Sequence, residues 1–215
     1  MDKDLKYNHL PGLTAPFEPQ VYECPYHDLI QLPLIDWVEE KASLMIGDDT
    51  KCFRTPPQSG DKRDITEHNV LFGWIESLLV ESVHEFCKWT NSAYNVSPES
   101  SKKFKIADYW GMLYGDGYGT VPHNHFPFAL SFGYYLRTPD GCAPLIIDEQ
   151  SIQVTEGRLI IFGGHQTHYV PDSDVSGRCM IAGDVSYGEI VNLSLIHISE
   201  PTRQAEISYA VFCLK

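Results

Sequence analysis

The hydrophobic pattern of this chain changes period near residue 104. Before that point apolar residues recur at helical spacing; after it they fall into short runs separated by Gly, Pro and Asp. Leu71, Ile75, Leu78, Leu79, Val83 and Phe86 form one stripe and predict a helix over about 65–90. Leu34, Ile35, Val38 and Leu44 predict another over Leu32–Met45. The first 30 residues hold four prolines and read as an extended arm with at most one short strand. Residues 47–64 are polar and turn-rich and read as a loop able to cover a site, and 91–103 as a Ser- and Asn-rich linker.

From Phe104 the runs KIADYWGMLYG, FALSFGYYLRT, APLIIDE, SIQVTE, RLIIFGG, HYVP and RCMIAGDVSY read as strands. So many short strands predict a sandwich or barrel, with the helices packed on one of its sheets, an α+β arrangement that is mainly β. The expected organisation is a single domain over 1–192, with the arm and helices in 1–103 and the β core in 104–192. The final stretch, LSLIHISEPTRQAEISYAVFCLK, stands apart. Leu193–Arg203 resembles a translated transposase-type sequencing adapter, and 204–215 a translated index with the flow-cell end of the same adapter. Residues 193–215 are therefore expected not to be native sequence, the alternative being a genuine C-terminal strand, and His197 and Cys213 are set aside as candidates.

Composition narrows the function. A net charge of -13 repels phosphate backbones and argues against nucleic acid as a partner. No apolar run approaches the ~20 residues that span a bilayer, and the N-terminus carries no signal-like apolar region. A cytoplasmic protein is expected, of a bacterium or a virus-infected host cell. The six cysteines include no Cys-x-x-Cys pair, so they read as small buried hydrophobes rather than zinc ligands or disulfides.

The candidate chemistry lies in V-P-H-N-H-F-P-F, Val121–Phe128. On an extended segment His123 and His125 point to one face and can share an ion, and imidazole suits iron, zinc, copper and nickel. A further ligand must come from elsewhere, with His165 and His168 in FGGHQTHYVP as the candidates. Arg178 opens the apolar strand RCMIAGDV, where a charge needs an anionic partner or exposure; a dicarboxylate matches its planar fork.

The order His-x-His, Tyr-Tyr-Leu, Gly-x-Leu-Ile-Ile-Phe, His-x-Val-Pro and Arg ten residues on resembles the Fe(II)- and 2-oxoglutarate-dependent oxygenases, in their prolyl-hydroxylase-like and phage-type branches. The resemblance covers roughly Ala107–Tyr187. It implies a double-stranded β-helix, a cupin-like jelly roll with iron inside. His123 and His168 would be iron ligands, and Arg178 would bind the distal carboxylate of 2-oxoglutarate. Tyr135 would support that carboxylate and Tyr114 would line the pocket. The implied reaction hydroxylates a substrate, a protein side chain or a small molecule, and releases succinate and carbon dioxide, with ascorbate as reductant.

Two departures stand out. Most members carry Asp or Glu where this chain has His125. Either His125 itself ligates, or His165 completes the triad, or the iron has been lost and the fold kept. Second, Met180 stands where many relatives place a Ser that serves the carboxylate. The other functional readings are a cupin-like three-histidine dioxygenase or isomerase that does not use 2-oxoglutarate, and a non-catalytic jelly-roll binding module.

Overall fold

The computed structural model describes residues 17–47, 50–89 and 104–187. Among these, β1 (Gln20–Glu23) leads into α1 (His27–Lys41), followed by β2 (Ser43–Gly47), β3 (Thr50–Arg54), β4 (Gln58–Ser59) and α2 (Thr66–Trp89). The remainder is all strand: β5 (Phe104–Leu113), β6 (Tyr118–His123), β7 (Leu130–Arg137), β8 (Leu145–Ile147), β9 (Gln150–Ile152), β10 (Arg158–Gly163), β11 (His168–Ser173) and β12 (Cys179–Tyr187). The linker expected over 91–103, the arm before residue 17 and the segment 193–215 lie outside the described residues.

The strand order is that of a double-stranded β-helix. β10, β7, β12 and β5 lie side by side, as do β6, β11, β8 and β9, and the chain winds back and forth between the two sets. All the pairings are antiparallel, and β3 joins the two sets by pairing with both β5 and β6. β1 extends the first set beyond β10, and β4 pairs with β5.

Period-two alternation divides the first sheet into two faces. On β7, Leu130, Phe132, Tyr134 and Leu136 face the helices, while Ser131, Gly133 and Tyr135 face the interior of the roll. On β12, Cys179, Ile181 and Val185 meet the helices, while Met180 and Ala182 turn inward. The outer face packs against Ile30, Leu34, Trp37 and Val38 of α1 and Leu71, Phe72, Ile75 and Leu79 of α2, all of them buried. Burial of each such large side chain contributes about 1.5–3 kcal/mol. A bulge keeps both sides in phase: Asp184 pairs with Asp108 and Val185 with Ile106, so Ala107 is the extra residue. Ile106 and Tyr109 therefore both reach the helix side, and Trp110, Met112 and Tyr114 face inward.

The expected helix packing and β core are thus present, with three corrections. α1 starts at His27 rather than Leu32, and its first turn is held to the sheet: Gln31 donates to the Leu136 carbonyl at 2.7 Å, and His27 Nδ1 lies 2.8 Å from the Tyr134 hydroxyl. It ends at Lys41 because Ala42 is extended and Ser43 pairs with Arg54, which puts Met45 in a strand. The stretch 47–64 is no simple loop. It carries β3 and β4, fixed by the pairs Phe53–Leu113 and Arg54–Met112 and by Thr55 N–H donating to Gly111 at 3.0 Å. β6 also goes unrecognised in the strand-like runs, because Gly119 and Pro122 interrupt its pattern. The four cysteines whose side chains are described, Cys24, Cys52, Cys142 and Cys179, are buried and free, as expected.

Candidate functional site

β6 and β11 are antiparallel neighbours, and their register sets His123 opposite His168. His125 lies just past the end of β6, in a turn held from both sides. Its N–H donates to the Gly164 carbonyl at 2.7 Å, and its own carbonyl accepts from Phe128 N–H at 2.9 Å. A Cβ on Gly164 would stand 2.3 Å from the Phe128 carbonyl oxygen, so glycine there is what lets the turn approach β10.

These elements bring His123, His125 and His168 together, with one ring nitrogen of each within 4.8 Å of the others. Ring centroids are 5.2 Å apart for His123 and His125, 4.4 Å for His123 and His168, and 5.0 Å for His125 and His168. His165 is not part of this group.

Each ring has its Nδ1 against an oxygen. For His123 it is the Val121 carbonyl at 2.8 Å, for His168 the Gln166 carbonyl at 3.2 Å, and for His125 the Asp184 carboxylate at 2.8 Å. A carbonyl or ionised carboxylate oxygen can only accept, so each Nδ1 carries the proton and the ligating lone pair is on Nε2. That tautomer is the one metal-binding histidines adopt when an outer oxygen orients them. His168 is buried, which together with its two neighbouring imidazoles lowers its pKa to about 3 and keeps the ring neutral. The donor set therefore fits a divalent transition metal.

Asp184 holds His125 through Oδ2 and accepts from the Ser131 hydroxyl through Oδ1 at 2.6 Å. The His125 ring also stacks on Trp110, with an interplanar angle of 6°. The sequence reading does not single out Asp184, Ser131 or Trp110. The signal for the first two is alternation: Arg178, Met180, Ala182 and Asp184 share one face of their strand, as do Ser131, Gly133 and Tyr135.

The cluster lines a cavity of about 430 Å³, whose walls include Met112, Leu145, Phe162 and Met180. Arg178, Tyr135 and Tyr114 line it too. Arg178 is 2% exposed. It donates to the Ala143 carbonyl at 2.8 Å and to the Tyr135 hydroxyl at 3.3 Å, while its buried Nε has no partner. Its guanidinium lies 4.9 Å from the ring centre of Tyr114 and 5.1 Å from that of Tyr135. Burial raises the pKa of both tyrosines, so they stay protonated donors. Among the described residues no carboxylate pairs with Arg178, so a buried cation faces the cavity without an anion.

The fold has clear counterparts among solved structures. The chain matches a Pseudomonas putida prolyl-4-hydroxylase with a TM-score of 0.57 and 15% identity, over 81% of this chain and 94% of that one. It matches a viral collagen prolyl hydroxylase from Paramecium Bursaria Chlorella virus-1, solved as a 2OG complex, with a TM-score of 0.51 and 14% identity, over 78% and 94%. The fold is that of the prolyl-hydroxylase-like 2-oxoglutarate oxygenases. A Trichoplax adhaerens prolyl hydroxylase, in complex with a hypoxia inducible factor oxygen degradation domain peptide fragment, shares it with a TM-score of 0.52 and 11% identity, over 78% and 83%. No protein-family model matches the sequence, and no curated protein matches it. No helix among the described residues is long and apolar enough to cross a membrane.

Proposed function

We propose that this chain is an Fe(II)- and 2-oxoglutarate-dependent oxygenase of the hydroxylase type, with residues 1–192 acting as one unit. One observation carries the reading: three imidazoles, each with Nε2 left to ligate, converge in the same cavity as a buried arginine that lacks an anionic partner among the described residues. His123, His125 and His168 are the iron ligands. Iron and 2-oxoglutarate together supply the oxidation of a substrate C–H bond by dioxygen, giving the alcohol, succinate and carbon dioxide.

The protein's own groups do the positioning. Arg178 takes the distal carboxylate of 2-oxoglutarate with its planar fork. Tyr135, already within reach of the guanidinium, donates its hydroxyl to the same carboxylate, and Tyr114 packs its ring against the cation. Met180 brings a thioether where a hydroxyl would serve the anion, which leaves Tyr135 as the neutral donor there. Asp184 fixes the tautomer and angle of His125. Met112, Leu145 and Phe162 keep water from the oxidising centre. Three neutral ligands leave the metal one negative charge short of the usual two-histidine, one-carboxylate set, and Asp184 returns that charge at one remove. The substrate is a protein side chain or a small molecule.

Incubation with Fe(II), ascorbate and 2-oxoglutarate tests the reading. Succinate should form, and both His123→Ala and Arg178→Ala should abolish it. Iron uptake without succinate, indifferent to Arg178→Ala, would replace the reading with a three-histidine metalloprotein of another chemistry.

A further inference from the structure

The cavity is lined by a second cation besides Arg178. Arg54 ends β3 beside Met112 of β5, and its guanidinium lies 4.2 Å from the centre of the Trp110 ring. Trp110 in turn stacks on His125, so the order is guanidinium, indole, imidazole. Arg54 lines the same cavity as the three histidines. Its Nε is buried without a partner, and among the described residues its guanidinium makes no hydrogen bond or ion pair. Asp108 and Asp184 are near enough to act on it through space, yet neither forms an ion pair with it.

Arg54 and Arg178 serve different parts of the cavity. Trp110, beneath Arg54, pairs with Ala182 on β12, and Arg178 lies four residues before Ala182 on that side. Arg54 itself is anchored beside Met112, which pairs with Met180 two residues past Arg178, but its guanidinium turns to Trp110, whereas that of Arg178 lies against Tyr114 and Tyr135. Phe126, 65% exposed, and Phe128 line the same cavity and add apolar surface to it. Arg54 is half-buried with an unpartnered Nε, and the indole face under its guanidinium holds the fork ready for a planar anion. In a chain of net charge -13, a local cation offsets the repulsion of an anionic ligand.

We propose that Arg54 is the anchor for an anionic group of the substrate, a carboxylate or a phosphate, which holds the carbon to be oxidised over the three histidines. The oxidation rests on the oxygenase reading above; the anion site does not. The competing role for Arg54 is to balance Asp108 and Asp184.

Fluorine NMR with trifluoroacetate as the probe and trifluoroacetamide as its uncharged control separates the two. The full chain is loaded with Zn(II) and saturated with 2-oxoglutarate, so that no turnover occurs. Saturable binding of trifluoroacetate but not of the amide is expected. Arg54→Gln should weaken it at least ~10-fold and Arg54→Lys should keep part of it. Displacement of the probe by acetate at lower concentration than by methyl phosphate assigns a carboxylate, and the reverse assigns a phosphate; both support the site. Probe binding that does not saturate, or that is unchanged in Arg54→Gln, overturns it, most plainly if that variant also loses thermal stability. Carbon-13-labelled 2-oxoglutarate in the same samples reports on the cosubstrate separately. Probe bound at Arg54 with no 2-oxoglutarate bound would keep the anion site and remove the oxygenase reading.

Discussion

Asp184 Oδ2 lies 2.8 Å from His125 Nδ1, so a carboxylate stands directly behind the histidine proposed as third ligand. Ser131 holds the other oxygen of Asp184 at 2.6 Å, which fixes the carboxylate as it fixes the ring. Removing this outer partner should cost metal affinity without removing a ligand. Asp184→Ala is expected to weaken Fe(II) or Co(II) binding by ~10–100-fold in a competition titration with a chelator. Asp184→Asn, which can still accept from Nδ1–H but carries no charge, should fall between it and the unaltered protein.

The proposed ligand set takes His125 and not His165 as third ligand, because only His125 clusters with His123 and His168. His165 is outside the group, and burial lowers its pKa. Replacing it with Ala should leave the stoichiometry and affinity of metal binding unchanged. His125→Ala should abolish tight binding, as measured by the metal content of protein equilibrated with Fe(II) without oxygen.

Arg178 and Tyr135 should act on the cosubstrate and spare the metal. Arg178→Gln is expected to weaken 2-oxoglutarate binding by about 2–5 kcal/mol, the cost of stripping one partner from a buried charge pair. Tyr135→Phe removes one neutral donor and should cost about 1 kcal/mol. Calorimetry on metal-loaded protein reads both, and metal affinity in the two variants should match the unaltered protein.

Away from the site, His68 predicts how stability varies with pH. Its ring is fully buried against Phe72, Trp37 and Tyr109, and its Nε2 has no partner. Burial lowers its pKa to about 4. The unfolded chain therefore takes up the proton first, near pH ~6.5. The stabilisation is complete above that pH and is lost as pH falls from 6.5 towards 4. The loss is on the order of 3 kcal/mol. Urea unfolding of metal-free protein at pH 7 and pH 4.5 should show most of that difference between the unaltered protein and His68→Phe, the variant being the less acid-sensitive.

Much of this architecture is legible in the sequence, and the failures have physical causes. The stripe of Leu71, Ile75 and Leu79 identifies α2 because that helix has one apolar face on the sheet. The strands β7, β10 and β12 read as apolar runs because both of their faces are covered, by helices outside and by the cavity wall inside. α1 is placed too late because the apolar spacing used to find it begins at Leu34, while the helix starts at His27 and carries Pro33 inside it. β3 is missed because polar, turn-forming neighbours hide a strand whose existence depends on pairing with β5 and β6, a long-range fact. The same gap conceals Arg54. His123, His168 and Arg178 carry enough pattern to be named. Asp184 does not, because its role depends on the register that sets β12 against β7, where it faces Ser131.

The central claim is that His123, His125 and His168 hold iron together with 2-oxoglutarate bound through Arg178. Its most direct test is optical absorption of the full chain during addition of Fe(II) and then 2-oxoglutarate in the absence of oxygen. A charge-transfer band that appears only when both are present, saturates at one equivalent of each, and disappears in His125→Ala and Arg178→Gln is the result expected. Absence of the band, or a band of full strength in His125→Ala, would contradict the account.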